Sequence, residues 1–259
     1  MGARLAAHVN KLKPMDATHI IRDSVTRVAG LRHTAACTPG LAQAVSEVKR
    51  WQAQRFSATY VDFLQAAPYQ AAARFFLEEL YSEKDYATRD AQFARIASAL
   101  ERLFPRPVVQ TAVSLAQLHC LTEELDMAMG QHWLASAGLA DIPRYIAAWR
   151  TVGQRAERLS QLSTVLQVGL ELDRLTRTPG LRLLLKMMSK PAHVAGLGAL
   201  QKFLELGFDT FAAMGNQGGG ARYFLDTVQF RESQSFRLLF DAPNDFCESE
   251  LAHTLAKTI

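Results

Sequence analysis

Apolar residues recur along most of the chain at spacings of three and four, the period of helices with one buried face, and no stretch keeps the alternation of a half-buried strand. The clearest stripe is Leu115, Leu118, Thr122, Leu125 and Met129. Immediately beside it His119, Glu123 and Asp126 follow at i, i+4 and i+7. This predicts a core helix from about Val108 towards Gly130 or Gly138, with a polar shoulder on which Asp126 is buried and paired. Upstream, Asp16 caps a helix through Ile20, Ile21, Val25 and Val28 to Gly30. Thr38-Pro39 opens a long helix through Val48, Trp51, Phe56 and Tyr60 to Leu64. Pro68 ends that helix or starts its successor, and residues 69–81 and 88–104 each keep the helical period.

Downstream, Asp141-Ile-Pro143 starts a pattern that reaches Thr178, long enough for one helix with a bend near Gly169. Pro179-Gly180 and Pro191 frame a short helix containing Leu183, Leu184, Leu185 and Met187, and stripes over 196–214 and 221–240 add two more. The expected fold is all-α, an irregular multi-helix bundle of about eight helices. It forms a single domain over residues 16–241, with a flexible N-terminal arm (1–15) and a C-terminal tail or short helix (242–259). Trp51, Trp149, Met187 and Met188 read as core.

Composition narrows the setting more than the chemistry. A chain of 259 residues buries enough apolar surface to fold without crosslinks. Cys37, Cys120 and Cys247 are far apart and form no CxxC pair, so neither a disulfide framework nor a thiolate zinc site is expected, and a cytoplasmic location fits. No run approaches the roughly 18 apolar residues of a transmembrane helix, and the N-terminus lacks a secretory h-region. The net charge of +4 is spread among interleaved acids and bases, and no nucleic-acid-binding signature accompanies it, so no nucleic acid partner is expected.

Two constellations carry possible chemistry. His119, Glu123 and Asp126, with Asp173 placed near the middle of the apolar face of the 141–178 pattern, are candidate ligand or pocket residues. Histidine and carboxylates from facing helices hold metals in helical bundles, but the usual Glu-x-x-His pairs are missing, and no metal is assigned. The structural alternative has Asp126 and Asp173 accepting hydrogen bonds from Arg55, Arg74 or Arg155, fixing how helices dock. Gly218, Gly219 and Gly220 before a helix, with Arg222, could form a backbone nest for an anion, although the Gly-Lys-Ser/Thr ending of a P-loop is absent. The functional expectation is a noncatalytic helical binding or regulatory protein, acting through a protein partner surface or an inter-helix pocket for a small apolar ligand, and a homo-oligomer is compatible with it. The alternative is a metal- or haem-dependent bundle oxidoreductase built on His119 and its neighbouring carboxylates.

At Trp51-Gln52, Tyr60-Val-Asp62, Phe75-Phe-Leu-Glu-Glu-Leu-Tyr81, Arg89-Asp90, Leu121-Thr-Glu-Glu-Leu-Asp126 and Gly196-Leu-Gly-Ala-Leu-Gln-Lys-Phe-Leu-Glu205, the chain resembles an uncharacterised all-helical protein family of proteobacteria. The resemblance covers most of residues 40 to 240. It implies a bacterial cytoplasmic setting and carries no activity onto these residues.

Overall fold

The longest helix, α6 (Arg106–Ala135), buries Val113, Leu118, Leu125, Met127, Met129 and Trp133, side chains distributed around its circumference. A helix buried on nearly all sides belongs at the centre of a fold. Its main neighbours are α1 (Ala17–Cys37), α2 (Leu41–Thr59) and α8 (Arg155–Thr176). The computed structural model describes residues 17–80, 84–215 and 219–258, and every regular element among them is a helix. The expected N-terminal arm, the Asp16 cap and Gly218 lie outside the described residues.

The remaining elements are α3 (Val61–Gln65), α4 (Ala67–Phe75) with a π turn at Phe76–Leu80, α5 (Ala87–Leu103), α7 (Asp141–Val152), α9 (Leu181–Met187), α10 (Ser189–Val194), α11 (Gly198–Met214), α12 (Gly220–Asp241) and α13 (Asn244–Leu255) with a 3-10 turn at Ala256–Thr258. This exceeds the expected eight or so helices, because several continuous periodic stretches are broken by backbone geometry. The 141–178 pattern divides at Gly153 and Gln154, two consecutive residues with φ of +60° and +50°. Such a reversal leaves the spacing of apolar side chains intact and is invisible to periodicity. The helix expected from Thr38-Pro39 to Leu64 starts instead after Gly40 (φ +77°) and is interrupted at Tyr60. In the opposite sense, α1 continues through Gly30 to Cys37.

Three large apolar clusters, with a small fourth of Ala35, Leu41 and Met127, form the core of one domain among the described residues. Phe56, Tyr60, Phe63, Phe76, Phe211 and Phe224 interlock around α4 and α12. Trp51, Met129, Trp133, Tyr145, Trp149 and Leu239 pack between α2, α6, α7 and α12, and α13 adds the buried Cys247 and Leu251. Ile21, Ala97, Leu100, Val113 and Ala116 join α1, α5 and α6. At Gly130 the α6 and α2 backbones come so close that a Cβ would lie 3.1 Å from Val45 Cα. Met187 departs from its core assignment: it is 66% exposed, because α9 buries none of its side chains.

Candidate functional site

Helices α5 and α6 meet at the corner Phe104-Pro105. In an antiparallel pair, residues equally distant from the corner come to the same level. Asp90 lies fourteen residues before Phe104 and His119 fourteen after Pro105, and their side chains meet: Nε2 of His119 is 3.0 Å from Oδ2 of Asp90. Elsewhere the two helices stand apart, with α1 packed against both. The space between them, closed on the far side by α8 and α11, is a cavity of about 190 Å³.

The cavity has a polarity gradient written into both helices. On α6 the lining stripe runs from Val108 through Ala112, Leu115 and Leu118, then continues as His119, Thr122, Glu123 and Asp126. At 1.5 Å per residue the apolar part spans about 15 Å and the polar part about 10 Å. Along α5 the lining passes from Arg89 and Asp90 to Phe93, Ile96 and Leu100. Because the helices run in opposite directions from their corner, the two apolar halves coincide, and so do the two polar halves. Leu172 and Leu175 of α8, Leu181 and Leu185 of α9, and Leu200 and Phe203 of α11 extend the apolar wall. A smaller cavity of about 50 Å³, lined by Phe75, Phe211 and other apolar residues, adjoins it at Leu115, Leu118 and Leu172.

At the polar end the charges are interlocked. Arg32 binds Asp90 at 2.9 Å, and Lys49 binds Glu123 at 2.7 Å. Asp126 accepts a hydrogen bond from Gln52 at 3.0 Å and lies 3.9 Å from Lys49. The His119 Nε2–H donates to Asp90, so the 3.4 Å approach of Arg32 Nη2 to the same nitrogen is contact between two donors rather than a bond. Arg89 is sandwiched between the rings of Tyr86 (4.0 Å) and Phe203 (4.5 Å) and reaches Glu79 at 3.5 Å. Gln161 of α8 donates to Thr122 at 2.8 Å and closes this end.

Burial and pairing move these groups in opposite directions. Burial disfavours the Asp90 anion, but the hydrogen bond from His119 and the Arg32 and Arg89 charges outweigh it and hold the carboxyl below its ordinary range. Asp126 is pushed up to about 6, chiefly by burial and further by Glu123, against the partial relief from Lys49 and Gln52. Burial lowers the pKa of Arg89.

A second buried polar group lies behind Asp126. Arg55 donates to Glu232 at 2.9 Å, and Tyr60 OH donates to the same carboxylate at 3.0 Å. Arg158, 3% exposed, stacks on Trp149 at 3.6 Å and donates to the carbonyl of Gly153 at 3.2 Å. Its charge reaches both Asp126 and Tyr145, placing it between the two polar groups.

Of the candidates from sequence, His119, Glu123 and Asp126 share the cavity. Asp173 does not: it is half-buried and accepts from Arg177, which caps the end of α8, at 3.0 Å. The buried face of α8 runs through Arg158, Val165, Val168 and Gly169, while Leu162 and Leu166 are only partly buried, and this leaves Asp173 at the edge of that face. The expected arginine partners are also different, since Arg55 holds Glu232 and Arg155 holds Asp241. Gly219 and Gly220 take φ of +97° and +64°, while Arg222 points along α12 to Asp226, 3.8 Å away, rather than towards the glycines. Arg32, Lys49, Gln52, Arg89 and Asp90 were not singled out as site residues; the equal spacing of Asp90 and His119 about the Phe104-Pro105 corner was the available signal. Among the described residues, no group of three or more His, Cys, Asp or Glu side chains is placed to hold a metal ion.

The all-helical architecture and this buried polar core define a helical domain with an amphipathic cavity. The chain belongs to the DUF8198 family, a domain of unknown function, which matches residues 31–245. No curated protein matches the chain, and no solved structure does.

Proposed function

We propose that this is a noncatalytic binding protein whose cavity takes a small amphiphile, an apolar body with a compact hydrogen-bonding head. The observation that carries this reading is the coincident polarity gradient of α5 and α6 along one cavity. An apolar body removes water from the leucine and phenylalanine wall, and a few convergent polar groups orient the head. The cations at the polar end already face carboxylates: Arg32 faces Asp90, Lys49 faces Glu123, and Arg89 faces Glu79. A charged head would have to displace one of these partners and leave it buried without its counter-charge, so the favoured head is neutral, such as a hydroxyl, ketone or amide. No helix among the described residues is long and apolar enough to cross a membrane. A bacterial, cytoplasmic setting belongs to the same proposal and rests on the family resemblance and on the free thiols of Cys120 and Cys247.

The test is extraction of the purified protein with organic solvent and mass spectrometry of the extract, followed by titration with an environment-sensitive fluorescent alkyl probe carrying a neutral head. Ala116 lines the cavity and is 4% exposed. Ala116→Phe should fill the cavity and abolish probe binding while circular dichroism retains the helical signal. No extractable amphiphile, together with probe binding that is absent or indifferent to Ala116→Phe, would overturn the reading.

A further inference from the structure

We propose that α9 and α10 form a docking surface for an anionic lipid bilayer, set against the apolar end of the cavity. Three observations carry the assignment. First, these helices present apolar side chains to water: Leu183 is 63% exposed, Met187 66% and Val194 91%. Second, the sequence that carries them holds charge of one sign. Between Asp173 and Glu205 the sequence holds Arg174, Arg177, Arg182, Lys186, Lys190 and Lys202 and no Asp or Glu. The arginines are engaged, Arg174 with Glu171, Arg177 with Asp173 and Arg182 with Asp209. Lys186 and Lys190, on the two helices themselves, have no carboxylate within salt-bridge distance among the described residues. Third, the opposite face of α9 belongs to the cavity, where Leu181 and Leu185 line its wall.

Protruding aliphatic tips beside unneutralised lysines match the interfacial zone of a bilayer, in which apolar side chains enter the acyl boundary and ammonium groups remain among anionic headgroups. A protein interface of comparable apolar content centres on Trp, Tyr or Arg anchors. This segment contains neither Trp nor Tyr, and its one arginine is bound to Asp209. Polar fixings orient the surface without burying it: Gln201 donates to the Leu185 carbonyl at 2.7 Å, and Arg95 donates to the Ala195 and Gly196 carbonyls at 2.8 Å. Taken with the cavity reading, on which the linkage of the two sites rests, a bilayer at α9 would stand next to the apolar end of the ligand site. The polar end is not an alternative mouth, since Asp90, Glu123 and Asp126 there are buried.

Flotation of the full chain with phosphatidylcholine vesicles, with and without phosphatidylglycerol, tests the surface independently of any ligand. The protein should float only with the anionic vesicles and be released by high salt. Leu183→Ser/Met187→Ser should abolish flotation, and Lys186→Glu/Lys190→Glu should weaken it by roughly tenfold or more. All four side chains are exposed, so circular dichroism should be unchanged in both variants. Ala116→Phe should still float, which separates failure of the cavity reading from failure of this one. Absence of flotation with anionic vesicles at low salt, flotation indifferent to both double variants, or an oligomer that Leu183→Ser/Met187→Ser dissociates would each overturn the assignment.

Discussion

Asp90 and His119 are bonded at 3.0 Å across helices that otherwise diverge, and the same Asp90 oxygen receives Arg32 from α1 at 2.9 Å. One carboxylate thus ties three helices together at the polar end of the cavity. Removing its charge leaves Arg32 facing a neutral amide, and it weakens the histidine bond. Asp90→Asn should lower the unfolding free energy by about 2–3 kcal/mol in urea titration, and combining it with His119→Gln should cost less than the sum of the single changes. Strict additivity of the two would show that the bond contributes nothing.

Two helical glycines should respond to alanine with opposite signs. At Gly30 in α1 an added Cβ meets nothing within 4 Å, whereas at Gly130 in α6 it presses on the Val45 backbone. Gly30→Ala should stabilise by about 0.5–1 kcal/mol through helix propensity and the unfolded chain. Gly130→Ala should destabilise by about 1–3 kcal/mol by forcing α2 and α6 apart. Thermal unfolding of the two variants side by side checks the contrast.

What could be read in the sequence follows the same physics. The phase of α6 was legible because its stripe is unbroken from Val108 to Met129, and that phase alone puts His119, Glu123 and Asp126 on one side. Asp173 falls outside the site because the buried face of α8 runs through Arg158, Val165, Val168 and Gly169, whereas Leu162 and Leu166, whose spacing puts Asp173 near mid-face, are only partly buried. The partners of the polar end, Arg32, Lys49 and Arg89, come from three other helices, and no spacing within one helix reveals which cation crosses to which acid. The exposure of Met187 was hidden for a related reason: a leucine-rich run carries the same pattern whether or not a neighbour covers it.

Asp126 gives a pH dependence opposite to that of a salt-bridged carboxylate. Its folded pKa is about 6 against an ordinary 3.8, so the folded state holds a proton that the unfolded chain releases. The stabilisation from that proton is fully present below about pH 4 and is lost as the pH rises through 6, to a total of no more than about 3 kcal/mol. Asp90, whose pKa is lowered, acts in the opposite sense and loses its contribution as the pH falls through its folded value. Asp126→Asn should therefore remove the decline between pH 4 and 6 from the stability profile and leave the acid-side loss in place. A variant with the parent profile, measured by urea titration at each pH, would exclude Asp126 as the source.

Arg55 and Glu232 make the other strong prediction, because both are at least nine-tenths buried and each is the other's charge partner. Burial works to discharge the Arg55 guanidinium, and the Glu232 carboxylate more than offsets that, keeping its pKa above the ordinary value. Glu232→Ala removes the counter-charge, the acceptor of Tyr60 OH and side-chain volume together. The expected loss is about 3–5 kcal/mol, the cost of an uncompensated buried charge. Arg55→Met/Glu232→Leu removes both charges while filling most of the space, and it should be more stable than Glu232→Ala alone even though it carries one more substitution. That ordering separates the two roles the pair can have. If the double variant folds as stably as the parent, the ion pair's role is to fix the register of α2 against α12 rather than to add net stability. If Glu232→Ala already matches the parent, Arg55 must reach water by another route, and the second polar group is not closed.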